Sequence, residues 1–205
     1  MLDHHSVRFF DAQFRRQREA NDFALNPFEQ LALPHVRGRV LDYGCGLGNL
    51  AVAAARRGCE VVALDASAEA VSHLAALAAA DGLALHAEEA DLRRHVLAGD
   101  YDTVVCIGLL MFFDCATAAA QLEQLKAHVR PGGTAIVNVL SEGTTYLGMF
   151  GPEGYCLFGR GELRERFAGW EILADVAHEF PAPGGTRKCF ATLIARRPEA
   201  PLDGA

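Results

Sequence analysis
Val40-Leu41-Asp42-Tyr43-Gly44-Cys45-Gly46-Leu47-Gly48 is an apolar run that ends in an acid and three alternating glycines. The apolar residues read as a buried strand and the glycines as the tight turn after it, because a residue without Cβ accepts positive φ and lets a ligand approach the backbone. Ala51, Val52, Ala53, Ala54 and Ala55 follow, good helix formers whose first N–H groups point back at whatever the turn holds. Strand, glycine turn and helix in that order open a nucleotide-binding α/β sheet.

Glycine spacing then separates nucleotides from one another. A dinucleotide fingerprint is G-x-G-x-x-G, and counted from Gly44 and Gly46 its third glycine falls at Asn49, whereas Gly48 comes one step early. Asp42 at the strand end also suits a cation better than a pyrophosphate. A second apolar run, Glu60-Val61-Val62-Ala63-Leu64-Asp65, again ends in an acid, placed to accept both ribose hydroxyls beside Ala66. Asp91 follows the weaker strand at 83–88 and is placed to accept an adenine amino group beside apolar Leu92, with an N-cap for a helix over 92–98 as its structural alternative. Acids after successive strands make the sulfonium cation S-adenosylmethionine the expected cofactor and S-adenosylhomocysteine its product. Cys45, Asn49 and Ile107 complete the expected cofactor-binding set.

A length of 205 residues with an apolar share of 51% fits one domain around a single core. Residues 1–37 read as an amino-terminal helical cap or lid, 38–197 as the cofactor-binding domain and 198–205 as a disordered tail. Within the cap, residues 5–20 form an amphipathic helix with Phe10 and Phe14 on one face, and Asn26-Pro27 opens a second helix through Leu33. Helices at 48–57, 67–80 and 115–128 alternate with strands at 60–65, 83–88, 101–107 and 134–140, the last preceded by an Arg130-Pro131-Gly132-Gly133 turn, so the sheet reads as parallel. A glycine-rich loop with Gly143, Gly148, Gly151 and Gly154 leads to a short helix at 162–167. Strands at 170–180 and 188–196, joined by residues 181–186, then read as an antiparallel hairpin.

Composition excludes other classes. Met1-Leu2-Asp3-His4-His5 lacks a basic-then-apolar leader and no apolar run is long enough for a membrane span, so the cytoplasm is the expected compartment and no membrane partner is expected. Cysteines 45, 59, 106, 115, 156 and 189 form no C-x-x-C pair, so neither a metal site nor a disulfide framework is expected and the thiols read as reduced. Nineteen basic against 26 acidic residues give a net charge of -7, which disfavours nucleic acid. The expected partner is a small-molecule acceptor, with the chain a monomer or homodimer.

Leu41-Asp42-Tyr43-Gly44-Cys45-Gly46-Leu47-Gly48, Asp65, Asp91-Leu92 and Arg130-Pro131-Gly132-Gly133 resemble the class I S-adenosylmethionine-dependent methyltransferases over about residues 38–197. That resemblance implies an α/β, Rossmann-like three-layer sandwich whose seven-stranded, mostly parallel sheet ends in an antiparallel hairpin. Within the class, the chain is similar to the tellurite-resistance methyltransferases through Leu110-Met111-Phe112-Phe113, Gly161-Glu162-Leu163-Arg164, Gly169-Trp170-Glu171 and Phe190-Ala191-Thr192-Leu193-Ile194-Ala195-Arg196. The implied activity is methyl transfer to a small acceptor, a chalcogen oxyanion or a soft thiol-like group, helped by His and Arg residues of the hairpin. His178 stands near the expected histidine, Glu179 where arginine is expected, and Arg187 as a stand-in for that arginine.

A sulfonium already activates its methyl group, so alignment and water exclusion are the main demands on the protein. His178 is the candidate general base, since imidazole exchanges protons near neutral pH, and an ordinary strand histidine is its structural alternative. Arg187 and Arg160 are candidates for holding an oxyanion. Arg8 and Phe10 of the first helix, Met111 and Phe112 after the strand at 101–107, and Tyr146 of the glycine-rich loop complete the expected acceptor pocket. Competing readings are a non-catalytic S-adenosylmethionine sensor, an arsenite methyltransferase using thiolates, and a dehydrogenase. DNA amino-methylation is disfavoured because Cys106-Ile107-Gly108-Leu109 lacks a polar-Pro-Pro-aromatic element.

Overall fold
A computed structural model describes residues 5–151 and 154–199 of the chain. The leader reading at residues 1–4 and the tail at 200–205 lie outside the described residues. Seven strands form one sheet in the order β3-β2-β1-β4-β5-β7-β6. They are β1 (Arg39–Tyr43), β2 (Glu60–Asp65), β3 (Leu85–Glu89), β4 (Tyr101–Ile107), β5 (Val129–Leu140), β6 (Glu171–Ala182) and β7 (Thr186–Arg196). The first five run parallel, and β7 inserts antiparallel between β5 and β6. The helices are α1 (His5–Glu19), α2 (Pro27–Ala32), α3 (Asn49–Arg56), α4 (Ala68–Asp81), α5 (Cys115–Ala127) and α6 (Glu162–Arg166). This is the expected three-layer α/β architecture, and no helix among the described residues is long and apolar enough to cross a membrane.

Two layers follow from the alternation of side chains along buried strands. Leu41 and Tyr43 pack with Leu122 and Leu125 of α5 and Phe167 beyond α6, whereas Val40 packs on the other face with Leu50 and Ala54 of α3 and Leu74 of α4. Local signals start the helices. Ser67 Oγ accepts from Ala70 N (3.1 Å) to cap α4, and Asp114 Oδ1 accepts from Thr117 N (3.0 Å) to cap α5. At α2 the cap is reciprocal: Asn26 Oδ1 accepts from Glu29 N (3.0 Å) while Glu29 Oε2 accepts from Asn26 N (2.8 Å).

Four expectations are corrected. Residues 92–94 form a turn rather than a helix, because Asp91 Oδ1 accepts from Arg93 N (3.2 Å) and closes the chain locally. β5 continues back through Arg130–Gly133, where pairing of Tyr101 with Val129 precedes a register shift. β6 and β7 extend further than expected, so their connection shrinks to Pro183–Gly185. The reduced-thiol expectation fails at one pair, since Cys115 and Cys156 form a disulfide across a sequence separation of 41. Cys115 opens α5, and Cys156 is brought beside it by the loop after β5, where its N–H donates to Met111 O (3.0 Å).

Candidate functional site
A cavity of about 370 Å³ opens at the carboxyl ends of β1, β2 and β4, where the strand order changes direction between β1 and β4. The glycine turn forms its floor. Gly44 N and Cys45 N donate to Leu64 O at 2.8 and 3.0 Å, which ties the turn to the end of β2. Gly46 and Gly48 have φ of 53° and 73°, and a Cβ on Gly48 would come within 2.5 Å of Leu74. A side chain at Gly48 would therefore force the buried Leu74 side chain of α4 to shift and strain a backbone with positive φ.

Asp42, Glu29 and Asp65 bring three carboxyl groups to this one cavity. Burial pushes the Asp42 carboxyl up to about 8, with the neighbouring charges of Glu29 and Asp65 adding to it. Burial also raises Glu29, against the Asn26 and Leu50 backbone bonds that favour its charged form. Asp65 is raised by burial too, although Oδ2 accepts from Gly46 N (2.8 Å) and Oδ1 from Ser67 N (2.9 Å). A carboxylate has about four acceptor sites, so Asp65 retains capacity for hydroxyl donors. The three acids do not form a metal-binding group among the described residues. Asp42 is buried and Glu29 and Asp65 half-buried, and such acids, without a basic partner among the described residues, suit a ligand that carries positive charge.

The expected cofactor residues Asp42, Gly44, Cys45, Gly46, Gly48, Asn49, Asp65, Ala66, Asp91, Leu92 and Ile107 all line the cavity. Tyr43 Oη bonds to Leu92 O (2.7 Å), which holds the 91–92 segment beside the turn. From the acceptor set, Phe10, Met111 and Phe112 line it as well, with the Phe10 and Phe112 rings edge-to-face at 5.0 Å. α1 roofs the cavity through Phe9, Phe10, Gln13, Phe14 and Gln17, and the Phe14 ring lies where a Cβ on Gly46 would meet it at 3.0 Å.

Other expected residues stand elsewhere. Arg8 and Arg160 are exposed and outside the cavity lining, and Tyr146 packs behind it. Arg187 is exposed and donates from Nε to Gly143 O (3.0 Å), because alternation along β7 turns Lys188 and Phe190 into the cavity and Arg187 away. His178 lies one strand further out, on the edge strand β6, and its ring packs edge-on to Phe28 at 5.6 Å. Sequence reasoning missed Glu29, Asn138 and Lys188 as lining residues. Glu29 was legible as the last residue of the Asn26-Pro27-Phe28-Glu29 capping box, and Lys188 through its two-residue spacing from Phe190.

Residues 40–133 match a family described as a methyltransferase domain. Hemagglutinin 1 of Eikenella corrodens is 30% identical over 166 residues, which are 78% of this chain and 55% of that protein. The ubiquinone biosynthesis O-methyltransferase of Serratia proteamaculans is 30% identical over 156 residues, 70% of this chain and 64% of that protein. The chain thus spans 55% to 64% of the length of these relatives. Among solved structures, TehB from Haemophilus influenzae has a TM-score of 0.75 at 20% identity, over 88% of this chain and 65% of that one. Magnesium protoporphyrin IX methyltransferase from Synechocystis PCC 6803, solved with bound SAH, has a TM-score of 0.60 at 21% identity, over 94% of this chain and 84% of that one. At these identities the two structures speak to the fold.

Proposed function
For a chain whose residues 40–133 match a methyltransferase domain and whose fold is like that of TehB, we propose the transfer of a methyl group from S-adenosylmethionine to a small-molecule acceptor, in the manner of the class I methyltransferases. The observation that carries this reading is the meeting of Glu29, Asp42 and Asp65 at the glycine turn, acids that no ion pair among the described residues neutralises. Bound there, S-adenosylmethionine supplies a methyl carbon already activated by its sulfonium. Asp42 and Glu29 offset the positive charge of the methionyl part, Asp65 accepts the ribose hydroxyls, and Asp91 with Leu92 takes the adenine edge. Phe9, Phe10 and Phe14 of α1 close over the turn and exclude water, which gives the amino-terminal cap the role of a lid.

The acceptor class has a support of its own. A chalcogen oxyanion or soft thiol rests on the likeness to TehB and the motifs at 110–113 and 161–171. Among the described residues the basic side chains that line the cavity are Arg93 and Lys188, so these take the anion-holding role expected of Arg8, Arg160 and Arg187. Arg187 supports the site by holding Gly143, and His178 supports the Phe28 wall. Purified protein incubated with S-adenosylmethionine and, separately, tellurite, selenite, small thiols, arsenite and hydroxyaryl acids tests the reading. Release of S-adenosylhomocysteine with one of these is the expected result, and tight cofactor binding without turnover on any favours a sensor.

A further inference from the structure
The cavity has a second polar end, formed by the inner strands rather than by the glycine turn. Lys188 of β7 lines it, and Nζ sits 4.9 Å from the centre of the Tyr146 ring. Burial lowers the lysine's pKa, and among the described residues no acid pairs with this ammonium. Asn138, at the end of β5, is fully buried and lines the same cavity. Its Nδ2 donates to Thr192 Oγ1 (2.8 Å), while Oδ1 has no partner among the described residues. Buried polar atoms are nearly always paired, and an orphan in a cavity wall marks a place for a ligand's donor.

Between these two groups the walls are apolar: Phe28, Phe112, Leu140, Met149 and Phe190. The Phe28 and Phe190 rings meet at 4.7 Å with their planes tilted by 49°, which gives the cavity an aromatic side. Resting on the methyl-transfer reading, and in place of the oxyanion or thiol that the likeness to TehB suggests, we propose that this end selects an aromatic acid bearing a hydroxyl group. Lys188 pairs with the carboxylate, Asn138 Oδ1 accepts the hydroxyl hydrogen, and the aromatic walls cover the ring. A bare inorganic oxyanion leaves those walls without a partner, and a neutral phenol leaves the ammonium without one.

Calorimetry on protein saturated with S-adenosylhomocysteine tests the subsite by binding alone. The probes are 3,4-dihydroxybenzoate, catechol, benzoate and selenite. The expected order places dihydroxybenzoate at least about tenfold tighter than each of the others, as one charge-assisted pair warrants. Lys188→Gln removes the preference over catechol, Lys188→Arg retains it, and Asn138→Leu removes the preference over benzoate. S-adenosylhomocysteine affinity, measured first on each variant, stays unchanged and certifies the fold. Equal binding of acid and neutral probes, tighter binding of selenite, no binding of any probe, or a preference indifferent to Lys188 overturns the subsite. Failure of S-adenosylhomocysteine itself to bind the unmodified protein overturns the methyl-transfer reading instead.

Discussion

Asp42 shows most plainly what a single side chain contributes. Its carboxyl is pushed from 3.8 up to about 8 by burial and then by Glu29 and Asp65, so the folded protein holds a proton there that the unfolded chain has released. The group stabilises the ligand-free fold fully below its unfolded pKa, and that contribution is lost as pH rises through the folded value. A bound cation prefers the ionised carboxylate, so cofactor binding expels the proton. S-adenosylmethionine affinity is therefore expected to rise about tenfold between about pH 6 and 7, a slope near one proton. Asp42→Asn should weaken binding and flatten that dependence, as titration calorimetry across the range would record. A flat profile in the unmodified protein would remove the charge argument at this position.

At the level of elements, α1 and the loop after β5 close the cavity from two sides. α1 is tied to α4 by Ser67 Oγ donating to Asp11 Oδ1 (2.5 Å) and by Arg18 to Glu69 (2.9 Å), and to the turn by Phe14 over Gly46. Exposed ion pairs contribute about 1 kcal/mol or less, so the aromatic contact does most of the holding. Phe14→Ala is expected to speed cofactor release by about tenfold or more in stopped-flow displacement, the loss of a half-buried ring contact. An unchanged rate would mean that α1 is packing rather than a lid. The loop that carries Met149 is fastened by Cys115–Cys156. Removing such a bond costs about 2–4 kcal/mol, so a Cys115→Ser, Cys156→Ser variant should melt lower. Its acceptor KM should rise while cofactor affinity holds, because the loop borders the acceptor end and not the glycine turn.

Across the whole molecule, the legible parts were those written in local sequence. Residues 40–55 announce strand, turn and helix in one stretch, and the acids at 42, 65 and 91 each follow a recognisable strand. The sheet's terminal hairpin was legible because two strand patterns flank a Pro-Gly cluster. What stayed hidden depends on contacts between distant segments. Cys115 meets Cys156 only after the loop at 141–160 folds back onto Met111, and no spacing rule foretells that pairing. Glu29 reads locally as a cap, and its second role exists only because α2 docks beside β1. Arg187 drew attention by its chemistry, while strand alternation gives the cavity to its neighbour Lys188.

Titration calorimetry of S-adenosylmethionine and NAD against the unmodified protein and Asp65→Ala bears most directly on the reading of this cavity. The expected result is that S-adenosylmethionine binds once per chain, NAD does not bind, and Asp65→Ala weakens the cofactor by more than about tenfold through loss of charge-assisted hydrogen bonds. NAD binding without S-adenosylmethionine binding, or an Asp65→Ala affinity equal to that of the unmodified protein, would contradict it.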